Sequence, residues 1–250
     1  MILQYDDWKK HPNAIIDLST KNKSFIRLAG LYKKMGVKNN AFILALHNPD
    51  LKGVDPFNSE LTTKEIIMIS TEVAENPWYY LREVVRVPSI SGLESGMLMA
   101  NRGNISLFWT FFNNITLMLI QIRQTGKSLN VDVLMNGIMN FWTWNTNINL
   151  LTKDAKLRAA NIERLKEIEK EFPKYLQMTG KKDSNNTEGI TRLRLGNTYT
   201  THIGQMSEKA ALNLGRGLTS PIFHIDEVAF INNIEVTLPA ALAAGGKLIA

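Results

Sequence analysis

The sequence predicts an α/β fold with a mainly parallel central sheet and a helical N-terminal region. Three observations support this fold class: short apolar runs that suit buried strands, charged or amphipathic segments of helical length between them, and a Gly-Lys-Ser turn directly after one apolar run. With 250 residues and 44% hydrophobic content, the chain can bury one substantial core. We therefore expect a helical region over residues 1–100 and an α/β core over residues 101–250.

The first hundred residues show helical periodicity rather than strand alternation. Residues 24–35 and 63–75 are predicted helices, and the loops between them carry Asn-Pro and Asp-Pro pairs. Residues 77–86 form an aromatic and basic cluster whose spacing allows a helix with one apolar stripe. Such a stripe is best explained as a packing surface.

Strands and helices alternate after residue 101. We predict helices and strands in the order helix 104–112, strand 115–120, helix 127–142, strand 146–151, helix 155–172, and a hairpin with strands 192–195 and 198–202. The charges of helix 155–172 indicate a solvated face, and Arg192 and Arg194 are expected on the solvent side of the hairpin. This order predicts a largely parallel sheet with a ligand site at the carboxyl ends of its strands.

The Gly-Lys-Ser turn ends a segment that reads Gln-Ile-Arg-Gln-Thr-Gly-Lys-Ser over residues 121–128. Between a strand and a helix, backbone N–H groups of such a loop surround phosphates, Lys127 adds a cation, and the Ser128 hydroxyl can ligate Mg²⁺. A glutamine replaces the usual first glycine, so a chance match is the alternative. The motif predicts nucleotide binding by Gln121, Arg123, Gln124, Thr125, Gly126, Lys127 and Ser128.

A second motif covers residues 221–227, which read Pro-Ile-Phe-His-Ile-Asp-Glu. This run predicts a buried strand that ends in two adjacent carboxylates, the form of a Walker B strand. Asp226 would hold Mg²⁺ with Ser128, and Glu227 would orient or deprotonate the attacking water in phosphoryl transfer. The alternative is a core strand that ends in a solvated acidic pair. Together, the two motifs predict an Mg-dependent ATPase.

Composition excludes several other classes of function. The chain has no cysteine, which excludes disulfides, zinc–thiolate sites and thiol catalysis, and its four histidines are scattered without metal-ligand spacing. No apolar run is long enough to span a bilayer, and the first ten residues lack the apolar core of a secretory signal, so a cytoplasmic protein is expected. The formal net charge of +6 is modest evidence for a polyanionic partner.

With these motifs in place, residues 101–250 resemble the ATPase domain of the large terminase subunits of tailed bacteriophages, the motors that package double-stranded DNA into proheads. The loop resembles that family's deviant Walker A motif, which implies that Arg123 is a phosphate sensor. Asn104 lies where the family binds adenine, although glutamine is frequent there. Arg216, in a Gly-Arg-Gly segment, resembles the arginine that acts in trans on a neighbouring subunit's nucleotide; a surface arginine in a turn is the alternative.

The resemblance implies a RecA-like (ASCE) P-loop NTPase fold that binds ATP and Mg²⁺ in the host cytoplasm and transiently at the prohead portal. The implied partners are double-stranded DNA, the phage portal, the small terminase subunit and further copies in a homo-oligomeric ring. Residues 1–250 contain no counterpart of the family's coupling motif or nuclease domain, so no nuclease activity is expected. The alternatives are a non-catalytic or split ATP-binding module that needs a partner chain and, ranked last, a helicase core.

Overall fold

The computed structural model describes residues 1–88, 95–120, 126–217, 220–242 and 247–250. The chain divides into two compact units: residues 1–109 with 167–177, and residues 110–166 with 178–250. The first boundary between the units lies after residue 109. Within the first unit, the Trp109 indole N–H donates to the backbone oxygen of Leu3 at 3.4 Å, which ties the later part of the helix Arg102–Phe112 to that unit.

The first unit combines helices with two small antiparallel sheets. Its helices are α1 (Lys23–Lys34), α2 (Thr63–Glu75) and α3 (Pro77–Tyr79), and its paired strands are β1 (Ile15–Ile16) with β2 (Ala45–Leu46) and β3 (Arg86–Val87) with β4 (Gly96–Met97). Helix α2 begins at Thr63 because Thr62 and Glu65 form a capping box, with the Thr62 backbone N–H donating to the Glu65 carboxylate at 2.8 Å. The two predicted helices of this region are confirmed.

The aromatic cluster after α2 is buried on every side. Helix α3 continues as a π-helical turn at Tyr80–Val84, and residues 78–85 are all buried. The Trp78 indole N–H donates to the backbone oxygen of Ile2 at 2.8 Å, and the Arg82 guanidinium donates to the oxygen of Ile43 at 2.8 Å. The predicted packing role is therefore confirmed, and burial extends beyond one apolar stripe because the indole and guanidinium groups find buried partners.

The remaining elements build an α/β unit, with α4 and α6 contributing residues to both units. In chain order they are α4 (Arg102–Phe112), α5 (Lys127–Gly137), a π-helical turn (Ile138–Trp142), β5 (Asn147–Thr152), α6 (Ala155–Lys170), β6 (Asn185–Asn186), β7 (Gly189–Arg192), β8 (Asn197–Ile203), α7 (Glu208–Gly217), β9 (Ile222–Ile225), α8 (Ile234–Leu242) and β10 (Lys247–Ile249). The predicted helices and the predicted strands 146–151 and 198–202 are confirmed, with ends shifted by a few residues. Two predicted strands were wrong: residues 115–120 form one described bridge, and residues 193–195 lie in the turn that follows β7.

The main sheet has the strand order β10-β9-β5-β8-β7-β6. The first four strands are parallel, whereas β8, β7 and β6 pair antiparallel, so the sheet is mostly parallel with an antiparallel edge. Residues 115–120 add one parallel bridge, Leu117 with Ile249, and the Leu117 backbone N–H donates to the oxygen of Leu248 at 2.9 Å. Strand β10 therefore lies between this segment and β9.

The β7–β8 hairpin differs from its prediction in which of its side chains are buried and which face the solvent. Arg192 is 1% exposed; its Nε donates to Asn140 Oδ1 at 3.0 Å and its guanidinium also donates to Asn185 Oδ1 at 3.1 Å. Of the two arginines, only Arg194 is exposed, and it lies in the turn between the strands. The solvent position predicted for Arg192 was wrong because two amide oxygens, one of them on the buried Asn140, accept from its guanidinium.

Apolar side chains of β5, β9, β10 and α8, with Ile231, pack into one core at this part of the sheet. This core comprises Leu151, Phe223, Ile225, Ile231, Ala241 and Leu248. Among the described residues, helices that combine the length and the apolarity required to cross a membrane are lacking.

Candidate functional site

A cavity of about 860 Å³ opens at the carboxyl ends of β9 and β5, beside the start of α5. Volumes of this order are typical of small-molecule sites, and carboxyl ends of parallel strands are where α/β sheets bind ligands. Five residues predicted from the two motifs line it: Gly126, Lys127, Ser128, Asp226 and Glu227. The two sequence motifs therefore meet at one cavity.

The junction between loop and helix depends on a glycine. Gly126 has φ 76° and ψ 23°, a left-handed conformation that favours glycine, and α5 begins at the next residue, Lys127. The first N–H groups of a helix have no intrahelical acceptors, so this end of α5 favours an anion in the cavity. The loop residues Gln121, Arg123, Gln124 and Thr125 lie outside the described residues.

Ser128 and Asp226 form a contact between the two motifs. The Ser128 hydroxyl donates to Asp226 Oδ1 at 3.2 Å, although 98 positions separate the residues in the chain. Asp226 follows directly after β9, and its backbone N–H donates to the oxygen of Leu151 in the neighbouring strand β5 at 3.0 Å. The carboxylate is thus held at the sheet's carboxyl edge, with Asp226 only 9% exposed.

A buried polar network continues from Asp226 into the helices. Asn161 of α6 donates through Nδ2 to Asp226 Oδ2 at 3.0 Å, and the Arg164 guanidinium donates to Asn161 Oδ1. Arg164 Nε also donates to Asp132 Oδ2 of α5 at 2.8 Å. The network therefore connects α5, α6 and the end of β9.

Sequence reasoning missed this network because the charges of α6 indicated only a solvated face. That face exists: Glu163 and Lys166 form an i,i+3 ion pair at 3.6 Å. A usable signal was helical spacing, since Asn161 lies four residues before the buried Leu165 and so shares its face of the helix. A polar residue on the apolar face of a helix indicates a buried partner.

Burial shifts the proton equilibria of two groups near the network. Burial raises the pKa of Asp132 to about 7, against the opposing charge of Arg164. Burial also lowers the pKa of His224 to about 4, so this imidazole is neutral at pH 7. The His224 Nδ1 lies 3.2 Å from the Tyr199 hydroxyl oxygen.

Glu227 lines the cavity and forms an ion pair with Lys153. Its Oε2 lies 2.6 Å from Nζ of Lys153, and both side chains are partly exposed, at 41% and 37%. The hydrogen bond to Glu227 raises the pKa of Lys153. Lys153 comes directly after β5, the strand beside β9, so its position at the same sheet edge was a signal that sequence reasoning did not use.

Two predicted residues are not brought to the cavity wall. Arg216 is exposed in the last turn of α7 and is not among the lining residues. Asn104 belongs to the first unit, where its Oδ1 accepts from the Asn101 backbone N–H at 2.9 Å and its Nδ2 donates to the oxygen of Met99 at 2.9 Å. Its carboxamide thus caps the start of α4, and the adenine role predicted for it stays a prediction.

The oxygen atoms of Ser128 and Asp226 suit a hard cation. Mg²⁺ is usually bound by one or two protein oxygens, with substrate phosphates and water completing its octahedron. Within the described ranges there is no group of three or more His, Asp or Glu residues arranged to hold a metal. A hydroxyl and a carboxylate in hydrogen-bond contact beside a helix N-terminus therefore fit Mg²⁺ delivered with a nucleotide.

Comparison with protein-family models and with curated proteins gave no match to this chain.

Proposed function

We propose that this chain is an Mg-dependent ATPase that binds the nucleotide phosphates in the cavity at the start of α5. The contact between Ser128 and Asp226, at 3.2 Å, is the observation that carries the proposal. Ser128 comes from the predicted phosphate loop and Asp226 from the predicted Walker B strand. Their meeting at the carboxyl ends of parallel strands is what nucleotide hydrolysis by such a pair requires.

The charges around the cavity favour a polyphosphate. Its wall carries three cationic side chains, Lys127, Lys153 and Arg164, against the carboxylates of Asp226 and Glu227. The N-terminus of α5 adds a partial positive charge on the same wall. An anionic ligand accompanied by a divalent cation therefore matches both the excess of positive charge and the two carboxylates.

Two of the lining residues, Lys127 and Glu227, have direct roles in the proposed reaction. Mg²⁺, when bound, neutralises negative charge on the phosphate oxygens. Lys127 offsets phosphate charge, and Glu227 accepts a proton from the attacking water as the water oxygen bonds to the γ-phosphorus and the bond to the leaving ADP oxygen breaks. Glu227 must give up or share its contact with Lys153 to do so, since Lys153 Nζ lies 2.6 Å from its carboxylate.

We further propose that the ATPase is the motor domain of a viral terminase that translocates double-stranded DNA into proheads. The resemblance of residues 101–250 to that family supports this assignment, as does the net charge of +6. The exposed Arg216 at the end of α7 meets one condition for action on a neighbouring subunit's nucleotide, namely access to a second copy. Portal, small subunit and ring partners belong to the same proposal.

One observation favours the second candidate function, a non-catalytic or split ATP-binding module. The carboxylate proposed to activate water is already paired with Lys153. A chain that remained in this arrangement would bind nucleotide without turning it over until a partner displaced the pair.

The testing experiment measures ATP hydrolysis with Mg²⁺, with and without double-stranded DNA, beside binding of a fluorescent ATP analogue. Lys127→Ala should abolish turnover and weaken nucleotide binding because a phosphate ligand is lost. Lys156→Ala, which removes an exposed lysine from α6, is the matched control and should leave both unchanged. Equal behaviour of the two variants would contradict the phosphate site.

Glu227→Gln separates the catalytic from the non-catalytic candidate. If Glu227 acts as general base, this variant should retain nucleotide binding and lose turnover by about 10²-fold or more. Glu235→Gln, an exposed position in α8, is the control. Turnover that is unchanged in Glu227→Gln would remove the role given to Glu227, whereas binding without turnover in the unaltered chain would favour the binding module.

A further inference from the structure

We propose that Asn161 is the positioning residue that orients the Asp226 carboxylate, and so sets how tightly the site holds a divalent cation together with a nucleoside triphosphate. This inference rests on the proposed function. Asn161 does not line the cavity, but it contacts two residues that do, Asp226 and Arg164. Arg164 keeps its contact with Asp132 when Asn161 is replaced, so the effect is expected to pass mainly through Asp226.

The orientation of a carboxylate is fixed when each of its oxygens has its own donor. Asp226 Oδ1 accepts from the Ser128 hydroxyl at 3.2 Å, and Oδ2 accepts from Asn161 Nδ2 at 3.0 Å. In the proposed function the Ser128 oxygen is a cation ligand, so its contact with Asp226 has to be shared with the metal. Asn161 is then the donor that continues to hold the carboxylate.

The amide of Asn161 can face Asp226 in one orientation only. Arginine has donors and no acceptor, so the Asn161 atom that meets the Arg164 guanidinium must be the carbonyl oxygen. The NH₂ group is thereby directed at the carboxylate. Arg164 is itself held by Asp132 of α5, at 2.8 Å from Nε to Oδ2.

Burial makes this arrangement costly to lose. Asn161 and Asp132 are 0% exposed, and a buried polar group without a partner destabilises its surroundings by about 1–3 kcal/mol. A satisfied buried asparagine can also serve stability alone. The two roles differ in one measurable respect: only a positioning residue changes the concentration of Mg²⁺ that the nucleotide complex requires.

The chain offers a matched control for this comparison. Asn140 is 1% exposed in the same unit, and its Oδ1 accepts from Arg192 Nε at 3.0 Å, so it forms a second buried asparagine–arginine pair. Neither member of that pair lines the cavity. Asn140→Ala should therefore reproduce the loss of stability without the effect on the cation.

The experiment measures the Mg²⁺ concentration at half-maximal binding of a fluorescent ATP analogue, and the Mg²⁺-dependent rise in melting temperature with a non-hydrolysable ATP analogue. For Asn161→Ala we expect a Mg²⁺ requirement about 10-fold higher, as for other residues that orient metal ligands. Binding without Mg²⁺ should change little, since Lys127 and the N-terminus of α5 remain and Arg164 stays paired with Asp132. Asn161→Ser, which keeps a hydroxyl donor, should give a smaller rise and covers the case that the alanine variant does not fold.

The outcomes separate this inference from the proposed function. A wild-type Mg²⁺ requirement in both Asn161 variants, or an equal increase in Asn140→Ala, would overturn the positioning role while nucleotide binding stands. Absence of nucleotide binding by the unaltered chain, with or without Mg²⁺, would instead overturn the proposed function and this inference with it.

Discussion

Glu227 stands in a backbone conformation that is unusual for its residue type. Its φ of 58° and ψ of 49° are left-handed, and the other described non-glycine residues with positive φ are asparagines, at positions 114, 145 and 233. Asparagine tolerates this region through local hydrogen bonds, whereas glutamate gains no such compensation. Strained positions of this kind cluster at functional sites. The backbone of Glu227 is thus consistent with a residue kept for its carboxylate at the cavity.

His47 is expected to make the free energy of unfolding depend on pH. Burial lowers its pKa to about 3, and neither ring nitrogen has a hydrogen-bond partner among the described residues. The unfolded chain takes up a proton near pH 6.5 and the folded chain does not, so His47 makes stability fall as the pH decreases from 6.5 towards 3. His47→Phe should raise the free energy of unfolding, by about 1–2 kcal/mol more at pH 5 than at pH 8.

Denaturant unfolding at the two pH values measures this difference directly. Phenylalanine keeps a ring to stack on His11, whose centroid lies 4.0 Å from that of His47. His202→Phe is the contrasting control, because His202 Nε2 lies 3.0 Å from Asn149 Oδ1 and its removal leaves that amide without this contact. We expect the control to be destabilised at pH 8. A His47→Phe variant with the same pH dependence as the unaltered chain would contradict the assignment.

At the scale of elements, two helical glycines should respond oppositely to the same substitution. A Cβ added at Gly137, the last residue of α5, would meet the Trp142 ring well inside van der Waals contact, whereas one added at Gly30 in α1 would meet nothing within 4 Å. Gly137→Ala should destabilise by about 1–3 kcal/mol through overpacking. Gly30→Ala should stabilise by about 0.5–1 kcal/mol through helix propensity.

The pair is its own control, since both changes add one methyl group to a helix. Thermal unfolding of each variant, followed by near- and far-ultraviolet circular dichroism, gives the two signs. If Gly137→Ala were as stable as the unaltered chain, the Trp142 ring would have to adopt another position. The tight contact between α5 and its π-helical continuation would then be wrong.

Periodicity predicted the long elements well and the short ones poorly. Helix α2 and strand β9 follow their patterns because a 3.6-residue repeat or a run of buried residues is visible within one segment. The two-residue strands β1 to β4 carry no such signal, as their pairing is decided by neighbours far along the chain. Residues 115–120 were predicted as a full strand and form one described bridge, to Ile249.

For the whole molecule, the sequence predicted which motifs meet but not what supports them. Ser128 and Asp226 could be paired in advance because both follow from motifs with a known spatial relation. Asn161, Arg164 and Lys153 could not, since polar residues of a helix or a strand end become partners only once tertiary packing brings them together. The same limit explains Arg192, whose buried partner Asn140 lies on another element.

Strand β10 lies between residues 115–120 and β9. The Leu117 N–H donates to Leu248 O at 2.9 Å on one side, and β9 pairs in parallel on the other, so β10 connects residues 115–120 to the strand that precedes Asp226. Leu248 is 4% exposed within the core, and Leu248→Ala should destabilise by about 2–5 kcal/mol.

Leu242→Ala is the matched control, because Leu242 at the end of α8 is 39% exposed and its truncation should cost less than about 1 kcal/mol. The measurement is hydrogen exchange by mass spectrometry on peptides from both units. Faster exchange in β9, β5 and residues 115–120 of Leu248→Ala, with the first unit unchanged, is expected because the sheet opens around the cavity. Equal protection in the two leucine variants would mean that β10 does not hold the sheet together, and the site would then need another support.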